Sequence, residues 1–165
     1  MMRFDSASIA ERPSEREVIF TRLLDAPREL VWRMWSDIQH LSAWYGPTGF
    51  TMTTHTFAFA PGGEWRLIMH GPNGVDYPNR IVFREIDPPA RIVYENRWDL
   101  PDAPLDFVVE VTLSDDGTDM TSLSIHMTFA DETAFQTAVE RYGVLDGGTQ
   151  TLDRIAEYLH TLPSK

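Results

Sequence analysis

The side chains best suited to bind a metal ion or to activate a nucleophile are scattered along this chain. The five histidines form no HExxH motif, no pair spaced four residues apart and no pattern with neighbouring carboxylates. The chain has no cysteine, which removes thiolate catalysis, cysteine metal sites and disulfides. No GxSxG turn presents a serine to a histidine. We therefore expect no metal, no cofactor and no nucleophilic catalytic residues.

Carboxylates could still act as general acids or bases if burial raised their pKa. Glu95 and Glu110 fall at strand positions that we expect to face solvent, and Asp146 and Asp153 lie off the apolar stripe of a helix. The HGPNG segment at 70–74 lacks the following helix and the lysine of a phosphate loop, so it is predicted to be a hairpin turn. These patterns favour binding over catalysis.

Aromatic and methionine side chains are the remaining candidates for a site. Any one of them fits ordinary core packing, but buried Trp and Tyr carry polar atoms that need partners. As a group they suit a ligand with an apolar body and few polar groups. The predicted ligand-binding set is Trp44, Tyr45, Trp65, Met69, Tyr94, Trp98, Met127 and Tyr142.

The segment WYGPTGF at 44–50 is expected to link the helices to the sheet at one end of a cavity. Gly46, Pro47 and Gly49 predict a turn that orients the aromatic side chains beside them. We predict that Trp44 closes the cavity and that Tyr45 lies nearer its rim. Packing anchor and ligand gate both remain open as roles for this segment, and a catalytic role is not indicated.

Helical and strand patterns divide the chain into a simple order of elements. EVIFTRLL at 17–24 predicts a strand, and the next segment predicts a short amphipathic helix or helix pair, with Asp25 as a cap and Pro27 in the first turn. From about 50 to 130, five turn clusters separate six β-prone runs, and connections this short require antiparallel hairpins. Helical periodicity then extends over 131–162.

Two details of the C-terminal helix are left open by the sequence. Either Asp131 or Thr133 could cap its start. Gly147 and Gly148 either interrupt the helix or mark a place where another element approaches closely, and the firmest part is expected from Thr149 onward.

The order strand, helices, six strands and long helix predicts an α+β domain. A seven-stranded curved antiparallel sheet would surround the C-terminal helix, with two short helices after the first strand and a ligand cavity between sheet and helix. The domain is expected to span 15–162, after a flexible N-terminal arm at 1–14. The facing of the strand at 79–86 is open because its apolar residues do not alternate cleanly.

Charge and composition limit the partners. A net charge of −11 over 165 residues disfavours nucleic acid and anionic membranes. No segment approaches the ~20 apolar residues of a membrane-spanning helix, and the N-terminus lacks the apolar stretch of a secretion signal. We expect a cytoplasmic protein, either monomer or homodimer.

Five segments between about Glu15 and Leu162 carry a family resemblance in their order and spacing. They are TRLLDAPRELVWRMWSD, HLSAWYGPTGF, PGGEWRLIMHGPNGVDYPN, EIDPPARIVYEN and GGTQTLDRIAEYL. This series resembles the START-like (SRPBCC) superfamily and, within it, the branch of the activator of the 90-kDa heat-shock-protein ATPase. The resemblance implies a helix-grip fold, which agrees with the order of elements above.

The resemblance implies three kinds of function. Superfamily members bind lipids, polyketides or other apolar molecules in the cavity, a minority catalyse cyclisation there, and the namesake proteins are co-chaperones of the stress response. The chain departs from its branch, which usually has two tryptophans where Trp44 and Tyr45 stand and a Gly-Trp pair where Gly147 and Gly148 stand. The ligand of a relative therefore cannot be transferred to this chain.

We predict that the protein binds a small hydrophobic or amphipathic ligand, similar to a lipid, polyketide or flavonoid. One alternative is a co-chaperone or protein-interaction module that regulates a heat-shock-protein ATPase, although the chain is expected to be too short for the additional N-terminal domain of the namesakes. A cyclase-like enzyme is the other alternative. It would be dropped if the cavity held no carboxylate or histidine with a perturbed pKa.

Overall fold

The computed structural model describes residues 8–163, which contain eight strands and four helices. The strands are β1 (Ile9–Glu11), β2 (Glu17–Leu24), β3 (Thr51–Phe57), β4 (Glu64–His70), β5 (Asp76–Asp87), β6 (Arg91–Trp98), β7 (Phe107–Asp115) and β8 (Thr121–Phe129). The helices are α1 (Arg28–Ser36), α2 (Ile38–Trp44), α3 (Glu132–Tyr142) and α4 (Val144–Thr161).

All strands join one antiparallel sheet in the order β1-β2-β8-β7-β6-β5-β4-β3. The chain returns after β2 by way of α1 and α2 to the far edge, and β3 to β8 then follow as consecutive hairpins back to β2. Alpha4 packs against β2 and against α2. The predicted α+β helix-grip fold is confirmed, with one strand more than the seven predicted.

The additional strand lies in the segment that we predicted to be a flexible arm. Beta1 pairs with β2, with Ile9 opposite Thr21, and the Ser8 hydroxyl donates a hydrogen bond to the Asp153 carboxylate of α4 at 3.1 Å. All three β1 side chains are exposed, so the strand leaves no apolar pattern in the sequence. Residues 1–7 of the predicted arm lie outside the described residues.

The helix pair begins later than predicted. Pro27, not Asp25, is the N-cap residue of α1, and its carbonyl accepts hydrogen bonds from the N–H groups of Leu30 and Val31 at 3.0 and 3.1 Å. No side chain caps this helix. Asp37 separates the two helices and caps α2 by accepting a hydrogen bond from the Gln39 N–H at 2.9 Å.

The C-terminal helical region is divided at Gly143, which adopts a left-handed conformation with φ of 61°. Asp131 caps α3 by accepting a hydrogen bond from the Ala134 N–H at 2.8 Å. Gly147 and Gly148 lie inside α4 and do not interrupt it. A Cβ atom on Gly148 would overlap the ring of Phe20, so the glycine pair marks a close approach of helix and sheet.

Alternation along the strands places the core on one face of the sheet, as predicted. In β5, whose facing the sequence left open, Ile81 and Phe83 are buried in the core. The pairing register with β6 shifts between Phe83 and Glu85, which explains the irregular sequence pattern. On the outer face, Glu95 pairs with Arg84 and Arg97.

Candidate ligand-binding cavity

A cavity of about 540 Å³ lies between the inner face of the sheet and helices α3 and α4. Strands β4 to β8 form its floor, and the 45–50 segment closes one side. Most of its wall is apolar, with aromatic, aliphatic and methionine side chains from the sheet. A volume of this size suits a small organic molecule.

Six of the eight side chains in the predicted ligand-binding set line this cavity. They are Tyr45, Met69, Tyr94, Trp98, Met127 and Tyr142. Trp44 and Trp65 do not line it, because both are buried in the neighbouring core with exposed fractions of 0% and 1%.

Both of these core tryptophans have protein partners for their polar atoms. The Trp44 indole N–H donates to the Met34 carbonyl at 3.2 Å, and the Trp65 indole N–H donates to the Thr54 hydroxyl at 3.1 Å. The ring of Trp44 packs edge-on against Trp35, with their centroids 4.9 Å apart. These rings contribute to packing behind the cavity wall.

The prediction that Trp44 closes the cavity is therefore wrong, and Tyr45 lines the cavity in its place. Trp44 occupies the last turn of α2 and faces the core together with Leu41, three residues earlier. Alpha2 ends there, and Tyr45 has an extended backbone with φ of −66° and ψ of 130°. This change of backbone places the Tyr45 side chain at the cavity, where Trp44 was predicted to be.

The hydroxyl oxygens of Tyr45 and Tyr94 are 2.8 Å apart and share a hydrogen bond at the cavity. Burial raises the pKa of Tyr45 and raises that of Tyr94 well above its ordinary value of 10.0. Both groups therefore stay protonated at neutral pH.

Alpha4 holds the 45–50 segment in place. The Arg154 guanidinium donates to the carbonyls of Gly46 and Pro47 at 3.0 and 2.9 Å, and burial lowers the pKa of this arginine. Gly46 has a φ of 108°, and a Cβ atom there would lie 2.5 Å from the methyl group of Met69. Glycine thus allows the segment to lie directly against the cavity wall.

Four amide or charged side chains line the cavity without having been included in the predicted set. They are Asn79, Asn96, Asp106 and Arg141. Alternation along β6 indicated the inward facing of Asn96, but polar residues were not counted as candidates. Asp106 lies in the irregular segment just before β7, where no periodicity places it, and burial raises the pKa of its carboxyl.

The mouth of the cavity has an aromatic rim formed by Tyr77, Trp98 and Tyr142. Their ring centroids are 6.0 to 6.4 Å apart in all three pairs. Tyr142 is 50% exposed, whereas Tyr94 and Asn96, which lie deeper along β6, are only 3% and 5% exposed. We therefore call the buried end of the cavity at Tyr94 and Asn96 the deep end, and the more exposed end at Trp98 and Tyr142 the mouth.

Histidines and acidic clusters contribute little to this site. Across residues 8–163, no group of three or more His, Asp or Glu side chains is placed to hold a metal ion, and no histidine lines the cavity. His70 pairs with Asp76, and His126 pairs with Glu17 outside the cavity. The hydrogen bonds from Ser14 and His126 lower the pKa of Glu17.

A cavity between an antiparallel sheet and a C-terminal helix defines a helix-grip protein of the START-like type. The chain belongs to the family of activator of Hsp90 ATPase homolog 1-like proteins, whose family model matches residues 25–160. Among curated proteins, none matches the sequence.

Solved structures from several bacteria share the fold. Protein Ms6760 from Mycobacterium smegmatis is 20% identical, with a TM-score of 0.83 over 95% of this chain and 99% of its own. A protein from Arthrobacter aurescens is 22% identical, with a TM-score of 0.84 over 94% and 93%. The AHSA1 protein from Silicibacter pomeroyi is 19% identical, with a TM-score of 0.72 over 88% and 98%.

The likeness at this level of identity concerns the fold alone. Within the described part of the chain, none of the helices is long and apolar enough to span a membrane.

Proposed function

We propose that the protein binds a small hydrophobic or amphipathic molecule in the cavity between the sheet and helices α3 and α4. The observation that carries this proposal is the cavity itself, about 540 Å³ in volume with a mostly apolar wall. Binding would be driven by burial of apolar ligand surface, at about 25 cal/mol per Å². A few polar groups would orient the ligand.

The proposed contacts separate into the deep end and the mouth. Tyr45 and Tyr94 would contact the part of the ligand that enters first, and Met69 and Met127 would adapt to its shape because methionine side chains are flexible. Trp98 and Tyr142 would cover the part at the mouth. Trp44 and Trp65 would support the wall from behind.

A cavity-filling substitution tests this proposal. Thr137 of α3 is half-buried and lines the cavity, whereas its neighbour Gln136 is exposed. Thr137→Trp should fill much of the cavity, and Gln136→Trp places the same indole in solvent as a matched control. N-phenyl-1-naphthylamine, a neutral dye that becomes brighter in apolar surroundings, serves as the probe.

We expect wild type and Gln136→Trp to brighten the dye equally, and Thr137→Trp to reduce its affinity at least tenfold. Thermal unfolding of all three proteins checks that they remain folded. If the dye binds none of them, or binds Thr137→Trp as well as wild type, the cavity is not the binding site.

Asp106 favours a second candidate, a cyclase-like enzyme. Its carboxyl lines the cavity and has a raised pKa because of burial, which meets the condition set above for retaining this alternative. In this role, a protonated Asp106 would donate a proton to a bound carbonyl compound. Turnover of a bound poly-ketone by wild type but not by Asp106→Asn would support it, and equal behaviour of the two proteins would exclude it.

The family description favours a third candidate, regulation of a heat-shock-protein ATPase by direct contact. The ATPase rate of the 90-kDa heat-shock protein, measured with increasing amounts of this protein, tests it. An unchanged rate at saturating concentration would eliminate this candidate and leave the ligand-binding proposal intact.

A further inference from the structure

Asn96 is a buried amide that faces the cavity. Its exposed fraction is 5%, and no hydrogen bond joins its side chain to any other group within residues 8–163. The amide is not among the polar atoms that protein encloses completely, so it is open to the cavity that it lines. Buried polar side chains in folded proteins nearly always have hydrogen-bond partners. An amide offers two donors and one acceptor, so its partner in the cavity could be either a hydroxyl or a carbonyl group.

Tyr94 precedes Asn96 by two positions on β6, so both side chains lie on the same face of the strand. The Tyr94 hydroxyl forms its hydrogen bond with Tyr45, which reaches it from the 45–50 segment. In this pair one hydroxyl donates to the other, which leaves the second proton for another acceptor. The deep end therefore offers two hydrogen-bonding groups to a ligand: the Asn96 amide and the remaining hydroxyl proton of the Tyr45–Tyr94 pair.

Asn79 provides an informative contrast. It also lines the cavity, but its amide donates a hydrogen bond to the Tyr77 carbonyl at 3.0 Å. Its side chain therefore has a protein partner. Of the two amides that line the cavity, only Asn96 lacks a hydrogen bond to another residue within 8–163.

Two charged side chains line the cavity, and one of them belongs to Asp106, whose backbone N–H donates to the Asn96 carbonyl at 3.0 Å. Asp106 is half-buried, and the other, Arg141, is exposed at the end of α3. A carboxylate placed beside Tyr94 and Asn96 would be buried without a cation, which costs far more than burying a neutral polar group. The deep end is therefore suited to an uncharged group.

We propose that the cavity selects neutral ring compounds that carry a hydroxyl or carbonyl group, which forms hydrogen bonds with Asn96 and with the Tyr45–Tyr94 pair. This inference rests on the proposed ligand-binding function and specifies its ligand class. The apolar rings fill the remainder of the cavity. Simple hydrocarbons leave the amide unpaired, and carboxylates bring a charge that the deep end does not neutralise.

Fluorene and three derivatives of similar size form a suitable probe series. The derivatives are 9-fluorenone, 2-hydroxyfluorene and fluorene-2-carboxylate. We expect wild type to bind 2-hydroxyfluorene or 9-fluorenone about tenfold more tightly than fluorene, because a site built for hydrogen bonding discriminates against analogues that lack the group. The carboxylate should bind most weakly. Displacement of N-phenyl-1-naphthylamine gives the affinities.

Three variants assign the selectivity to the deep end. Asn96→Leu and Tyr94→Phe should reduce the preference for the oxygenated probe over fluorene to about threefold or less, while fluorene itself binds as tightly as before or more tightly. Tyr158→Phe is the matched control, because it removes a hydroxyl that bonds to His40 outside the cavity at 2.7 Å. Its selectivity should equal that of wild type.

The outcomes separate this inference from the function on which it rests. Binding of all four probes with similar affinity, or unchanged selectivity in both Asn96→Leu and Tyr94→Phe, overturns the inference and leaves a cavity that binds ligands without this preference. Tightest binding of the carboxylate overturns it as well. If neither the dye nor any of the four probes binds to the protein, both proposals are wrong.

Discussion

Under α1 and α2 the sheet is covered by close-packed rings, whereas under α3 and α4 it borders a cavity. At the first end, Trp44 and Trp65 are buried and their indole N–H groups donate to protein acceptors. At the second end, Asn96 is equally buried but its amide has no hydrogen bond with another residue between 8 and 163. Both ends are rich in aromatic side chains, so composition alone does not distinguish them.

A missing hydrogen bond alone does not distinguish the two ends, because the buried indole N–H of Trp35, which packs against Trp44, also has no partner within residues 8–163. The difference is that Asn96 lines a cavity, whereas Trp35 is enclosed by other side chains. A buried polar atom with a protein partner contributes to the stability of the folded state. A buried polar atom that faces a cavity without a partner is free to bind a ligand. Tyr45 belongs to both ends, because its ring packs against Trp65 with a centroid distance of 5.0 Å while its hydroxyl reaches the cavity.

The largest expected effect compares two tryptophans. Trp44→Ala should lower the free energy of unfolding by about 3–5 kcal/mol, because it leaves a hole in a closed core. Trp98→Ala should lower it by about 1–2 kcal/mol, because this ring is only partly buried at the cavity mouth. Chemical denaturation measures both values. Equal losses would contradict the distinction between a packed end and an open end.

The next effect concerns the close approach of α4 to the sheet. Gly148→Ala should destabilise the protein by about 1–3 kcal/mol, because the added methyl group overlaps Phe20. Gly147→Ala is the control, since its Cβ atom would lie 3.3 Å from Pro47 and the substitution favours helix formation. In a double-mutant cycle, Phe20→Leu should reduce the cost of Gly148→Ala. An unchanged cost would show that Phe20 is not the obstacle.

A smaller effect concerns the two tyrosine hydroxyls. Tyr45→Phe and Tyr94→Phe should each lower the free energy of unfolding by about 1 kcal/mol, because each leaves the other hydroxyl without its partner. The double substitution should cost no more than one of the single ones, since it removes both hydroxyls together. Additive losses in urea denaturation would mean that the two hydroxyls act independently.

The smallest effect is the pH dependence caused by Asp106. Burial raises the pKa of its carboxyl above the ordinary 3.8, so the folded protein holds this proton more tightly than the unfolded chain. Ionisation therefore removes stability as the pH rises through the interval between the ordinary and the raised pKa. Asp106→Asn should be more stable relative to wild type at pH 7 than at a pH below 3.8. A constant difference in stability across this range would contradict the burial of the charge.

The sequence predicted the fold well because strands and helices leave periodic patterns. Alternation placed Trp65, Leu67 and Met69 on one face, and the structure confirms that facing. Beta1 was missed because its exposed side chains leave no such pattern. The Gly147–Gly148 pair predicted either an interrupted helix or a close approach of another element. Only the position of Phe20 in the folded chain decides between these two interpretations.

The cavity was predicted less completely. Aromatic and methionine residue types identified six of its lining side chains. Trp44 and Tyr45 are adjacent in the sequence, and only the end of α2 between them determines which ring faces the cavity. Asn96 and Asp106 were not among the candidates because their importance depends on burial and on missing partners. Alternation along β6 indicated which way Asn96 faces, but the missing partner of its amide and the burial of Asp106 arise from tertiary structure and have no local signal in the sequence.

The most direct test of a ligand site in this cavity is an NMR titration of methionine methyl groups labelled with carbon-13. Met69 and Met127 line the cavity, whereas Met120 lies outside it, before β8. On addition of 2-hydroxyfluorene, we expect the Met69 and Met127 signals to shift and saturate while the Met120 signal stays in place. Unmoved Met69 and Met127 signals up to the solubility limit of the compound, or a shift confined to Met120, would contradict a ligand site in this cavity.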